Sequence, residues 1–246
     1  MVRYGGAQGM LALGIAVLIL GSAQLPQATA QWKPIFALGY NVDVITDREP
    51  LVRFAQKLGD TCCSWFESGA IDDSGVQRDN GLPAGTTFES RTASGVVYLI
   101  LPAVFNNALQ LRPGETGTLT LATPAPYSQI AVISSSGNAS HFSVGTGNIN
   151  YDDGSSLSFS FNNFDWCNGR NEAPHPEAAV PSGFDKIGRN VNSLVDGTKF
   201  TYAEECDFQL YETILATDNS KNIVSIDFIG PDDAHFTQVM GISGTP

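Results

Sequence analysis

Basic residues are scarce in this sequence: 13 Lys and Arg stand against 25 Asp and Glu, for a formal net charge of −12. So little positive charge leaves nothing to neutralise phosphate, which argues against unaided nucleic-acid binding and disfavours anionic membrane surfaces. Histidine is scarcer still. His141, His175 and His235 form no zinc-protease helix motif, no short His-x-His pair and no spacing shared with cysteine. A Gly-x-Ser-x-Gly elbow is missing too, so serine hydrolysis finds no support. After the first residues no apolar stretch reaches the ~20 residues a membrane helix needs, and the mature chain is not expected to insert in a membrane.

The start of the chain has the order of a secretory signal peptide. Arg3 precedes an apolar run from Met10 to Leu20, and Ala28 and Ala30 stand at −3 and −1 of a cleavage site before Gln31. Residues 1–30 are therefore read as a leader and residues 31–246 as a single domain in a secreted protein, extracellular or periplasmic. Loss of Arg3 takes the net charge from −12 to −13. About 216 residues remain, enough to bury a core without help from disulfides.

Cysteine is used sparingly, at Cys62, Cys63, Cys167 and Cys206, and export makes oxidation the default. Adjacent cysteines seldom bridge each other, because their Cα atoms lie ~3.8 Å apart while a disulfide wants ~5.5 Å. Cys167 and Cys206 bracket the long irregular stretch 168–205, so a bond between them is the favoured arrangement. The alternative joins each to one member of the 62–63 pair, and sequence alone does not choose.

What the sequence does contain is period-2 alternation. Leu157, Phe159 and Phe161 alternate with serines, Leu119 and Leu121 with threonines, and Val224, Ile226 and Phe228 with Ser225 and Asp227. Each pattern predicts a half-buried antiparallel strand, with Phe159, Phe161, Leu119, Leu121, Val132, Ile226 and Phe228 in the core. The runs Val96–Leu101 and Ile130–Ile133 are apolar on both faces and predict strands covered on both sides. Turn clusters such as Asn80-Gly81-Leu82-Pro83, Pro113-Gly114 and Asp152-Asp153-Gly154 separate them. The expected fold is all-β, an antiparallel β-sandwich of jelly-roll, galactose-binding-like type. Only Glu49–Lys57 has a helical pattern.

Several segments resemble a bacterial extracellular domain that recurs in secreted and cell-surface proteins. They are Trp65-Phe66-Glu67, Gly81–Phe88, Asn106–Leu109, Gly117–Leu121, Ser135–Asn138, Asp165-Trp166, Leu210-Tyr211-Glu212 and Lys221–Ile226. The resemblance implies a β-sandwich similar to carbohydrate-binding modules, and it brings no catalytic residues.

Aromatic faces stack on pyranose C–H groups while amides and carboxylates give directional hydrogen bonds. Trp65, Asn163, Asp165, Trp166, Asn168 and Tyr211 are accordingly the candidate ligand-binding residues, with an extracellular glycan as the partner. The competing reading makes Trp166 a packed plug at one end of the sandwich. No cofactor is expected. A structural calcium is the exception the pattern admits, with Asp152 and Asp153 as candidate ligands, although neither they nor Asp232-Asp233 form a twelve-residue calcium loop. Glu67, Asp72, Asp73, Asp165, Glu204, Glu205 and Glu212 could supply the carboxylate pair of a glycoside hydrolase. The reading favours a secreted non-catalytic β-sandwich, carbohydrate-binding or cell-surface-associated. Its alternatives are a polysaccharide-active hydrolase and a structural extracellular protein.

Overall fold

The computed structural model describes residues 31–46, 63–71, 75–79, 81–91, 93–137, 139, 143–169, 180–188 and 201–246; for residues 46, 63–64, 167–169, 180–188 and 201–208 the backbone alone is described. Residues 1–30, read above as a leader, the helical pattern at Glu49–Lys57 and residue Cys62 lie outside them. Among the described residues the chain is all-β, with no helix.

The early strands are short: β1 (Lys33–Pro34), β2 (Ala37–Leu38), β3 (Ile45–Thr46), β4 (Cys63–Phe66), β5 (Ala70–Ile71), β6 (Gln77–Arg78), β7 (Thr87–Glu89), β8 (Val97–Leu99) and β9 (Leu109–Leu111). Longer strands follow: β10 (Thr116–Ala125), β11 (Gln129–Gly137), β12 (Val144–Tyr151) and β13 (Ser156–Asn162). The last five are β14 (Cys167–Gly169), β15 (Val180–Gly188), β16 (Thr201–Ala216), β17 (Ile223–Ile229) and β18 (Phe236–Thr245). A nine-stranded sheet runs β1-β18-β11-β16-β15-β4-β3, with β9 beside β18 and β14 beside β16. A five-stranded sheet runs β13-β12-β17-β10-β2, and its pairs are all antiparallel. The β3–β4 pair is parallel.

The two large sheets share a core. Leu119 and Leu121 of β10, Ile149 and Tyr151 of β12, Phe161 of β13, and Ile226 and Phe228 of β17 pack against Ile130, Val132, Val239 and Ile242 of the nine-stranded sheet. Alternation explains the placement, because every second side chain of a strand leaves by the same face. On β11 the intervening residues are apolar as well, and Ala131 and Ile133 face a second core with Met240, Leu210, Trp65, Tyr98, Ile100 and Val44. The nine-stranded sheet is thus covered on both faces, as the unbroken apolar run Ile130–Ile133 requires. The second cover is irregular chain pinned by side chains: Asn107 Nδ2 donates to Asp43 Oδ1 at 2.7 Å, and Val44 N donates to Asn107 Oδ1 at 2.9 Å.

One core assignment needs correcting. Phe159 is half-buried, and Leu157 on the same face is 38% exposed. The register is the expected one, since Phe161 is buried, but β13 is the edge of its sheet and its outer rings have neighbours on one side only. Phe159 still packs edge-to-face on Phe228, with centroids 5.8 Å apart.

Both phenylalanines lie over glycines on the neighbouring strand. Phe161 faces Gly145 and Phe159 faces Gly147, and a Cβ on Gly145 would sit 2.2 Å from the Phe161 ring. The missing side chain is what lets the ring lie flat on β12. Gly145→Ala is therefore expected to cost about 1–3 kcal/mol by overpacking. Denaturant titration checks this, and the penalty should shrink in a Phe161→Ala background if the clash is with that ring.

Candidate functional site

Of the residues singled out in the sequence, Trp65, Asn163, Trp166 and Tyr211 are buried inside the protein. Trp65 of β4 and Trp166 pack edge-to-face with centroids 5.2 Å apart, both buried in the second core. Trp166 N donates to Ser136 O at 2.8 Å and Ser136 N donates to Phe164 O at 3.0 Å, which fastens the 164–166 segment to the end of β11. Tyr211 is buried edge-to-face on Phe164, and its hydroxyl donates to Asp165 O at 2.8 Å. Asn163 is buried and donates to Thr237 Oγ1 at 2.8 Å. Asp165 is half-buried, and its carboxylate accepts from Ala139 N at 3.0 Å. Asn168 stands opposite Asp207, with its side chain outside the described residues. As they stand, Trp65 and Trp166 offer no open ring face to a sugar, and the arrangement is that of a plug.

The Cys167–Cys206 bond likewise falls on side chains outside the described residues. The backbone sets Cys167 opposite Phe208 and Cys206 opposite Gly169, which makes the two cysteines diagonal neighbours. Cys63 lies opposite Gly188.

Asp152 and Asp153 hold protein groups. Asp152 accepts from Asn222 Nδ2 at 2.7 Å. Asp153 accepts from Ser155 N at 2.9 Å and from Ser155 Oγ at 2.5 Å, and pairs with Lys221 Nζ at 2.9 Å. Asp218 accepts from Ser220 N and Oγ, and lies 3.8 Å from the same ammonium. Lys221 takes the position between two carboxylates that a cation would occupy, and clasps the β12–β13 turn to the β16–β17 turn. Among the described residues no group of three metal-capable side chains gathers.

The clasp has a definite pH signature. The Ser155 hydroxyl, then the Lys221 ammonium, hold the Asp153 carboxyl below its ordinary value, and Ser220 does the same for Asp218. The Asp153 carboxylate in turn raises Lys221. Depressed carboxyls contribute above their ordinary pKa and lose that contribution as pH falls through the folded value. A raised lysine contributes below its ordinary pKa and loses it as pH rises through the folded value. The clasp should therefore hold across neutral pH and open only in strong acid or strong alkali. An NMR titration should place the Asp153 and Asp218 midpoints below the ordinary ~3.9; ordinary midpoints would contradict the clasp.

Of the hydrolase candidates, Glu67, Asp165 and Glu212 have described side chains. Glu212 is buried in the nine-stranded sheet and accepts from the Tyr98 hydroxyl at 2.6 Å; burial first, and the Glu212 charge second, hold that phenol well above its ordinary pKa. Glu67 is half-buried in an isolated bridge with Leu82. Asp72 and Asp73 lie outside the described residues, and of Glu204 and Glu205 only the backbone is described.

The open site is the outward face of the five-stranded sheet. Side chains that alternate with the core residues line up there in rows across the strands. Ser158, Asn148, Asp227 and Thr118 form one row, Ser156, Asn150, Ser225 and Thr120 the next, and Ser160, Thr146, Ile229 and Thr116 a third. The rows are knitted together: Ser158 Oγ donates to Asn148 Oδ1 at 2.8 Å, Thr118 Oγ1 to Asp227 Oδ1 at 2.6 Å, and Asn150 Nδ2 to Asp227 Oδ2 at 2.8 Å and Ser225 Oγ at 3.1 Å. An open groove of about 530 Å³ lies over the β13–β12 side of the first and third rows, lined by Thr146, Asn148, Ser158, Ser160 and Ile229, with Gly147 and Phe159 between. These residues carry no motif. Their signal in the sequence is the polar half of the same alternation that marks the core.

No family model matches the chain, and no curated protein matches it. Among solved structures, the enzymatically active domain of tailspike protein 4 from bacteriophage CBA120 is a distant likeness at 11% identity. It covers 65% of this chain and 17% of that one, with a TM-score of 0.26.

Proposed function

We propose that this chain is a secreted, non-catalytic β-sandwich of jelly-roll type that binds an extracellular glycan on the outward face of its five-stranded sheet. The carrying observation is the polar row Ser158–Asn148–Asp227–Thr118, hydrogen-bonded in the pairs Ser158–Asn148 and Thr118–Asp227, with an open groove over its Ser158–Asn148 end. Hydroxyl, amide and carboxylate groups together offer both donors and acceptors, which is what a polyol needs. Because Asn150 and Thr118 hold Asp227 in place, its carboxylate meets a ligand with part of the ordering cost already met.

Glycan-array screening followed by calorimetry tests the reading. Binding is expected without product release, and Asp227→Ala should weaken it about tenfold or more, as loss of a charged hydrogen bond does. Reducing-sugar release that disappears on replacing one acidic residue would instead make the protein a hydrolase.

A further inference from the structure

Resting on that glycan-binding reading, we infer that the face takes an uncharged oligosaccharide laid across the strands, with the polar rows over β13, β12, β17 and β10 and an apolar flank on β2. The first ground is charge. Strands β2, β10, β12, β13 and β17 contain no Lys, Arg or His, and Asp227 is their only acidic residue. A face used only for solubility normally mixes charges of both signs, and this chain has acidic residues in plenty elsewhere. A face with one negative charge and no cation has no partner for a uronate, sulfate or phosphate, and Asp227 repels each of them. It has every group needed for neutral hydroxyls.

The second ground is the flank. Leu38 stands opposite Thr120, and Phe36 O accepts from Ala122 N, so Phe36 and Leu38 leave by the same outward face as the threonines of β10. They are 61% and 67% exposed, while Ile35 before them and Ala37 between them are buried in the core. An exposed aromatic ring at the edge of a polar field suits the C–H face of a sugar. Strands ~4.8 Å apart put the groove at β13–β12 and the flank at β2 some 15–20 Å from each other. A single sugar cannot reach both, and a chain of several can. The direction follows from the same placement, since joining groove to flank means crossing β17 and β10.

The experiment is calorimetry on the full chain with a panel of neutral hexasaccharides (gluco-, manno-, galacto- and xylo-configured), the matching monosaccharides, and hexagalacturonic acid. At least one neutral hexasaccharide should bind, its monosaccharide should bind at least about a hundredfold more weakly, and hexagalacturonic acid should not compete. Phe36→Ala should weaken the hexasaccharide about tenfold without altering the circular-dichroism spectrum, since the ring is exposed. Hexagalacturonic acid binding as well as the neutral chains would overturn this inference while leaving glycan binding intact. So would a neutral hexasaccharide indifferent to both Phe36→Ala and Asn148→Ala. Binding of no saccharide in the panel would overturn the glycan-binding reading itself.

Discussion

Phe228→Ala should destabilise the protein by about 3–5 kcal/mol, among the larger losses a single core truncation produces. The Phe228 side chain is fully buried between the two large sheets. Its ring takes edge-to-face contacts from two others, Phe161 at 5.4 Å and Phe159 at 5.8 Å. Removing it takes away the buried ring's own transfer free energy and leaves a cavity that the flanking rings, held over Gly145 and Gly147, can fill only in part. For a domain of this size the thermal midpoint should fall by roughly 10 °C. The same change at half-buried Phe159 should cost visibly less. Equal losses at the two positions would mean that β13 is not the edge strand.

Trp166→Ala should cost a similar amount, about 3–5 kcal/mol, and should leave glycan affinity unchanged once folding is controlled. Trp166 closes the end of the second core against Trp65, and its backbone N and the Phe164 carbonyl before it are tied to Ser136. Losing the ring removes that edge-to-face pair and opens a space beside Trp65. A plug and a binding platform separate cleanly in this measurement. A platform would lose affinity with little loss of stability, as exposed stacking residues do, whereas a plug does the reverse. A Trp166→Ala chain that keeps its midpoint and loses its ligand would move the site to the 163–166 segment.

Much of the main core was legible because alternation carries two pieces of information at once. Leu119 and Leu121, Ile226 and Phe228, and Phe161 are buried where the period-2 pattern puts them, and Ile130–Ile133 are buried throughout, as a run without alternation demands. Phe159 was misjudged because a period says which face a residue leaves by and nothing about whether its strand has neighbours on both sides. Of the layer over the second face, only the strand within Val96–Leu101 and the packed reading of Trp166 were legible. Strands β3 to β8 are two to four residues long, too short for any periodicity, and what holds them is side chains distant in sequence, such as Asn107 on Asp43.

The site was harder for a related reason. Tryptophans and a dense polar segment drew the reading to residues 163–168, but a tryptophan's two uses, packing and stacking, look the same in one sequence. The open face was present as Thr118, Asn148, Ser158 and Asp227, the polar partners of the core residues. Polar residues in alternation first suggest solvent, and the reading proposed for this face rests on the register that aligns them in rows, with basic residues absent from all five strands.

The most direct test is an NMR titration of the isotope-labelled chain with the tightest-binding neutral hexasaccharide, following backbone amides and tryptophan indoles together. The account predicts that shifts concentrate on Thr118, Asn148, Ser158 and Asp227, with the Asn150 side-chain amide moving and the Trp65 and Trp166 indoles still. Shifts centred on residues 163–166 and Tyr211, with the five-stranded face silent, would contradict it.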